Sequence, residues 1–180
     1  VIQDDEHRHV SWTVKVDPDS VFFPYRLASL LTQYANSSSL GGSGIYLNNC
    51  RWALHGPIEA LSQSAVRELA SVMRKCFTKW TAHCKFDCYA PEIGEDEWLD
   101  RCLTQESSVL KIDNWKLMLE KGCAPFNVGW EDCNTTHAVF HPFKTIDSWK
   151  RCHWHGEQVH AKSKFHFERT LVNVSGQTLG

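Results

Sequence analysis

The chain has 180 residues, a net charge of −2 with histidine neutral, 42% hydrophobic and 22% charged residues. That is the length of one domain, able to bury roughly 70% of the surface its unfolded chain would expose. Near-neutrality gives no argument for bulk attraction to nucleic acid or to a membrane surface. No run approaches the 18 apolar residues of a membrane span, so no transmembrane helix is expected. Eight Trp and ten His are both enrichments; Trp brings large burial and a donor that needs a partner, His a charge that changes between pH 5 and 8.

The chain begins Val1-Ile2-Gln3-Asp4-Asp5-Glu6-His7, acidic and polar. It is not a signal peptide, so a secreted protein would here have lost its leader. Residues 9–17 alternate, with Val10, Trp12, Val14 and Val16 on one side, and predict a half-buried strand. Asp17-Pro18-Asp19-Ser20 is a turn. A helix follows over 24–35, with Pro24 at its first position. A Ser/Gly loop covers 37–44, and a short strand is expected over 45–54. The strongest helix is 64–82, where Val66, Leu69, Val72, Met73, Cys76, Phe77 and Trp80 recur at helical spacing, with Ser64 as its N-cap. Residues 83–94 are a cysteine-rich loop. Shorter helices are expected over 96–103 and 113–121, the latter stopped by Gly122. Residues 123–135 read as irregular, and strands are expected near 136–141, 150–155 and 158–174. Together these predict a single α+β domain over 1–180: an antiparallel sheet of the first and C-terminal strands, packed against one long helix and two or three shorter ones, stabilised by disulfides.

The cysteines are Cys50, Cys76, Cys84, Cys88, Cys102, Cys123, Cys133 and Cys152. An even set spread over a hundred residues predicts four disulfides, hence an oxidising, extracellular setting; the pairing is left open among 105 possibilities. Structural zinc on cysteine would need a second close pair beside Cys84 and Cys88, and none exists. Asn36, Asn134 and Asn173 each begin a glycosylation acceptor pattern, in keeping with a secretory route.

Residues 150–168 offer the one concentration of chemistry. Read as two strands joined at Gly156-Glu157, a two-residue turn with Gly first, they place His153 opposite His160 with His155 diagonal to both. Three imidazoles on one face could share a divalent metal. The same face has the parts of a ribonuclease-like acid–base site, with Arg151 or Lys162 to hold phosphate. Clustered imidazoles would also repel one another below about pH 6, which could make binding depend on pH. A solvated polar face is the plainer reading. No nucleophile elbow, zincin motif, complete deaminase signature, phosphate loop, dinucleotide fingerprint or calcium loop is present. In composition alone the chain resembles small secreted cysteine-rich effectors and toxins.

The expectation is therefore a secreted, non-catalytic interaction module that binds a protein or glycan partner. Trp130 and Trp154 are its candidate anchors, because Trp is enriched at binding hot spots. No cofactor is expected on this reading. The alternative is a metal-binding protein or metal-dependent or ribonuclease-like hydrolase centred on His153, His155 and His160.

Overall fold

A computed structural model describes residues 6–34, 42, 44–81, 93–123 and 129–159. In chain order its strands are β1 (Trp12–Val16), β2 (Val21–Phe22), β3 (Ile45–Asn48), β4 (Ile58–Ser62), β5 (Leu110–Asp113), β6 (Met118–Leu119) and β7 (Val139–Phe140). The helices among the described residues are α1 (Pro24–Leu31), α2 (Gln63–Thr81), α3 (Glu95–Glu106) and α4, residues 146–159. The fold is α+β and disulfide-bonded, as expected.

Two sheets carry the strands. The larger has the order β1-β4-β3-β5, antiparallel except for the parallel pair β3–β5. The smaller has the order β2-β7-β6, with β7 and β6 parallel. Side chains alternate across a strand, so the central strands β3 and β4 feed two cores. Tyr46 and Leu61 join Val66, Leu69, Leu99 and Leu103 beneath α2 and α3. Leu47, Ile58 and Ala60 meet Leu27, Met118 and Val139, with Trp12, Val14 and Val16 of β1 packed against them. A third cluster joins Val21, Phe23, Leu119, Phe140 and Phe143 to Cys152 of α4.

The expected first strand, turn and long helix all form. The first strand, however, pairs with β4 and not with the C-terminal strands. Every residue of β4 is buried, so the segment shows no polar alternation, and it runs without a break into α2. Ser62, at that junction, accepts the Ala65 amide at 3.3 Å; it caps α2 two residues before the expected Ser64. Val10 precedes β1 and is exposed. The helix expected over 113–121 does not form. Residues 110–113 extend β3 in parallel and 118–119 extend β7, and tertiary pairing overrides local propensity.

The largest departure is at 150–159. The expected hairpin is the helix α4, and its continuation beyond residue 159 lies outside the described residues. Thr145 starts this helix: its Oγ1 accepts the Ser148 amide at 3.2 Å. Gly156 is a packing glycine, not a turn. A Cβ at this position would sit 2.2 Å from the Phe23 ring. Arg26, itself buried, stacks over Phe23 at 4.0 Å and donates to Gly156 O at 2.5 Å, Thr135 O at 2.9 Å and His137 O at 2.8 Å. One guanidinium thus satisfies three carbonyls where α1, the loop before β7 and α4 meet.

Three disulfides are formed among the described residues: Cys50–Cys123, Cys76–Cys102 and Cys133–Cys152. Cys84 and Cys88 lie outside the described residues. Cys76–Cys102 joins α2 to α3, where Lys75 and Lys79 both reach Glu106 at 2.5 Å. Cys133–Cys152 fixes α4. Cys50–Cys123 ties the end of β3 to the segment after β6, and so joins the two sheets.

Two outcomes follow. Gly→Ala inside a helix ordinarily gains about 1 kcal/mol, but Gly156→Ala is expected to lose about 1–3 kcal/mol by overpacking against Phe23; a urea titration that shows a gain would remove that contact. Opening Cys50–Cys123, which spans 73 residues, by double alanine substitution should cost about 4 kcal/mol, against about 3 for Cys133–Cys152, which spans 19. Denaturation midpoints in the reverse order would show that loop entropy does not govern the stabilisation.

Candidate functional site

Four turns or loops and one helix start converge at the edge where the two sheets meet. β6 and β7 are parallel, with Leu119 level with Phe140. The residues that follow each strand, Glu120 and His141, are therefore brought side by side. His55 comes from the loop between β3 and β4, and Asn49 holds that loop. The Asn49 side chain donates to the carbonyls of His55 and Ile58 at 2.7 Å each and accepts the His55 amide at 2.8 Å. Asp96 lies in the first turn of α3, and Asp19 in the turn between β1 and β2.

These side chains form a line of alternating acids and bases. Asp96 Oδ2 lies 3.2 Å from His55 Nδ1, and His55 Nε2 lies 3.0 Å from Glu120 Oε2. Glu120 Oε2 lies 3.1 Å from His141 Nδ1, and His141 Nε2 lies 3.4 Å from Asp19 Oδ2. Lys144 closes the line on Asp19. Glu120 Oε2 and His141 Nδ1 are both fully buried, and neither has a partner in hydrogen-bond geometry despite their short separation.

The charges respond accordingly. Burial pushes the Glu120 carboxyl up, but His141 and His55 outweigh it and hold the group at about 2. Glu120 raises His55 against the effect of burial, and Asp96 adds to the rise. Burial also acts upward on Asp96, but the amides of Glu97 and Gly56, together with His55, lower it. Lys144 foremost, with His141, lowers Asp19. A second cluster adjoins: Lys15 reaches Asp17 at 3.2 Å, Glu59 at 3.2 Å and Glu95 at 3.5 Å.

On the far side of Asp19 is an open groove of about 840 Å³, lined by Pro18, Asp19, Phe143, Lys144, Thr145, Ile146, Trp149 and Lys150. Its walls are fixed. The Phe143 amide donates to Asp19 O at 2.8 Å, and Trp149 Nε1 to Ser20 O at 2.8 Å. Trp130 packs edge-on behind Phe143 at 5.4 Å. Ile146, by contrast, is 73% exposed. Residues four apart on a helix are neighbours, so Ile146, Lys150 and Trp154 follow one side of α4; Trp154 is 61% exposed.

The residues singled out from the sequence are therefore dispersed. Positions two apart on a helix point about 200° from one another, so His153 and His155 do not share a face. His153 is stacked between Phe23 at 5.5 Å and Trp149 at 5.2 Å. His155 Nδ1 lies 3.2 Å from Asp132 O. His160 lies outside the described residues, as do Asn36 and Asn173. Asn134 is described and exposed. Trp130 is half-buried and Trp154 exposed. Sequence reading missed His55, Glu120 and His141, which stand alone in the chain with no ligand spacing between them. Their shared signal is positional: Glu120 and His141 each end a short apolar run.

Comparison with known proteins adds no relative. No family model matches the chain, and no curated protein or solved structure matches it. Among the described residues no helix is long and apolar enough to cross a membrane.

Proposed function

We propose that this is a secreted, disulfide-stabilised, non-catalytic interaction protein that seats a peptide segment of a protein partner in the groove between the β1–β2 turn and α4. The observation that carries this reading is the exposure of Ile146 at the mouth of a groove in which Asp19, Phe143 and Trp149 are held by hydrogen bonds. A large side chain left in water beside Pro18, Phe143 and Trp149 loses nothing by being covered, and a preformed concave site costs little ordering on binding. Three disulfides and the exposed acceptor Asn134 support the extracellular assignment.

Charge selects the kind of segment. Lys144 and His141 already offset Asp19, while Lys150 makes no ion pair among the described residues. The groove then suits a segment with an apolar side chain next to a carboxylate. Trp154, one turn beyond Lys150, extends the same face and serves as an anchor. Trp130 supports the groove from behind through Phe143.

The test is a fluorescence-anisotropy titration with a labelled peptide bearing Leu or Phe flanked by Asp and Glu. Saturable binding is expected, weakened at least tenfold by Ile146→Asp and by Trp154→Ala without a change in Tm. Lys150→Glu should lower affinity and flatten its salt dependence. Undiminished binding by both Ile146→Asp and Trp154→Ala would reject this surface. Saturable binding of an oligosaccharide in place of the peptide would turn the assignment to a glycan partner.

A further inference from the structure

We propose that His55, Glu120 and His141, none of which lines the groove, form a binding site for one divalent cation of the zinc class. Their three donor atoms all lie within 4.8 Å of one another. Two imidazole nitrogens and a carboxylate oxygen are a donor set that zinc takes in sites that keep a fourth position open. Atoms bound tetrahedrally at about 2.0–2.1 Å from zinc stand roughly 3.3 Å apart. Here Glu120 Oε2 stands 3.0 Å from His55 Nε2 and 3.1 Å from His141 Nδ1. Those two separations lie close to that spacing, and the two imidazole nitrogens stand within 4.8 Å of each other.

The second observation is the state of the buried atoms. Glu120 Oε2 and His141 Nδ1 are shielded from solvent and meet at ion-pair distance without hydrogen-bond alignment. Buried polar atoms are ordinarily satisfied, and two such atoms facing one another at ion-pair distance need an explanation. A cation between the donors supplies it.

The third observation is the outer shell. An imidazole that binds a metal through one nitrogen usually has the other held by a carboxylate or carbonyl, which sets its tautomer and orientation. Both imidazoles here are arranged so. His55 presents Nε2 to the cluster while its Nδ1 faces Asp96 at 3.2 Å. His141 presents Nδ1 while its Nε2 faces Asp19 at 3.4 Å. Asp96 is in turn held by the Gly56 amide at 2.9 Å, and Asp19 by Lys144. The segments carrying the ligands are also locked: Cys50–Cys123 joins the His55 loop to the turn after Glu120, and β6–β7 pairing sets Glu120 beside His141. His55 is the most exposed of the three, so the cluster is more accessible to solvent on its side.

A neighbouring group, Asp17, Asp19 and His141, also has compatible spacing. It is the weaker choice, because Lys15 and Lys144 already neutralise its two carboxylates.

The experiment uses the full, oxidised, untagged chain, stripped with a chelator and dialysed, then titrated calorimetrically with zinc chloride and, separately, monitored by absorption on adding cobalt(II). One equivalent of zinc is expected to bind, with a rise in Tm and a visible band of four-coordinate cobalt. Glu120→Gln and His141→Gln should each weaken binding at least 100-fold. Asp19→Asn leaves every ligand in place and should weaken it 10–100-fold; it keeps the proposal open to test if the ligand variants do not fold. The triple variant His153→Ala/His155→Ala/His160→Ala should bind zinc as the unaltered chain does. The absence of a one-equivalent uptake would make the cluster a plain ion-pair network. Uptake lost in the triple variant and kept in Glu120→Gln or Asp19→Asn would place the metal elsewhere. Either result overturns the proposal.

Discussion

The carboxylate of Glu120, buried between two imidazoles, is the interaction on which the arrangement of this molecule depends. A carboxylate taken out of water is tolerated only when opposite charge and fixed dipoles surround it. Here the two imidazoles come from different sheets' connections: His55 from the loop leaving the larger sheet and His141 from the end of the smaller one. Each is in turn held by a further carboxylate, on the first turn of α3 and in the β1–β2 turn. Five segments with no sequence relation are therefore registered against one another at one point. The same five would be registered more tightly by a cation that replaced ion-pair contacts with coordinate bonds.

The covalent frame is built around that point. Cys76–Cys102 stays within the helical layer and Cys133–Cys152 within the α4 layer, while Cys50–Cys123 alone among the three crosses between the sheets. The crossing disulfide therefore restrains the relative position of His55 and Glu120. The groove shares Asp19 and Lys144 with the charged line but lies on its opposite side. Backing and rim differ there: Trp130 packs against Phe143 and Trp149 is hydrogen-bonded to Ser20, while Ile146 and Trp154 are exposed.

Residues 150–159 show how a local pattern can point the wrong way. Cys152-His153-Trp154-His155 alternates in a way a strand would, and Gly156 resembles a turn residue. Both features have other causes. Gly156 is small because Phe23 presses on the helix and Arg26 takes its carbonyl. His153 is aromatic because it fills the space between Phe23 and Trp149. The Thr145 cap is the one local signal of a helix start, and the apparent period of two masks it. The helix expected at 113–121 fails for the converse reason: its apolar residues serve two short parallel strands whose partners are distant in the chain.

The sequence by itself determined the composition class, the α+β character, the first strand, the Asp17–Ser20 turn and the long helix, and it pointed to disulfides through an even, dispersed cysteine set. These are legible because each rests on local periodicity, local turn chemistry or simple counting. It could not place β4, whose uniformly buried residues carry no alternation, nor the parallel pairings, which depend on partners far along the chain. Above all it could not bring His55, Glu120 and His141 together. Their proximity follows from strand register and a crossing disulfide, and both are set by how apolar faces pack in three dimensions. Side chains scattered over three loops have no spacing to read, so only the tertiary structure decided where these titratable groups converge.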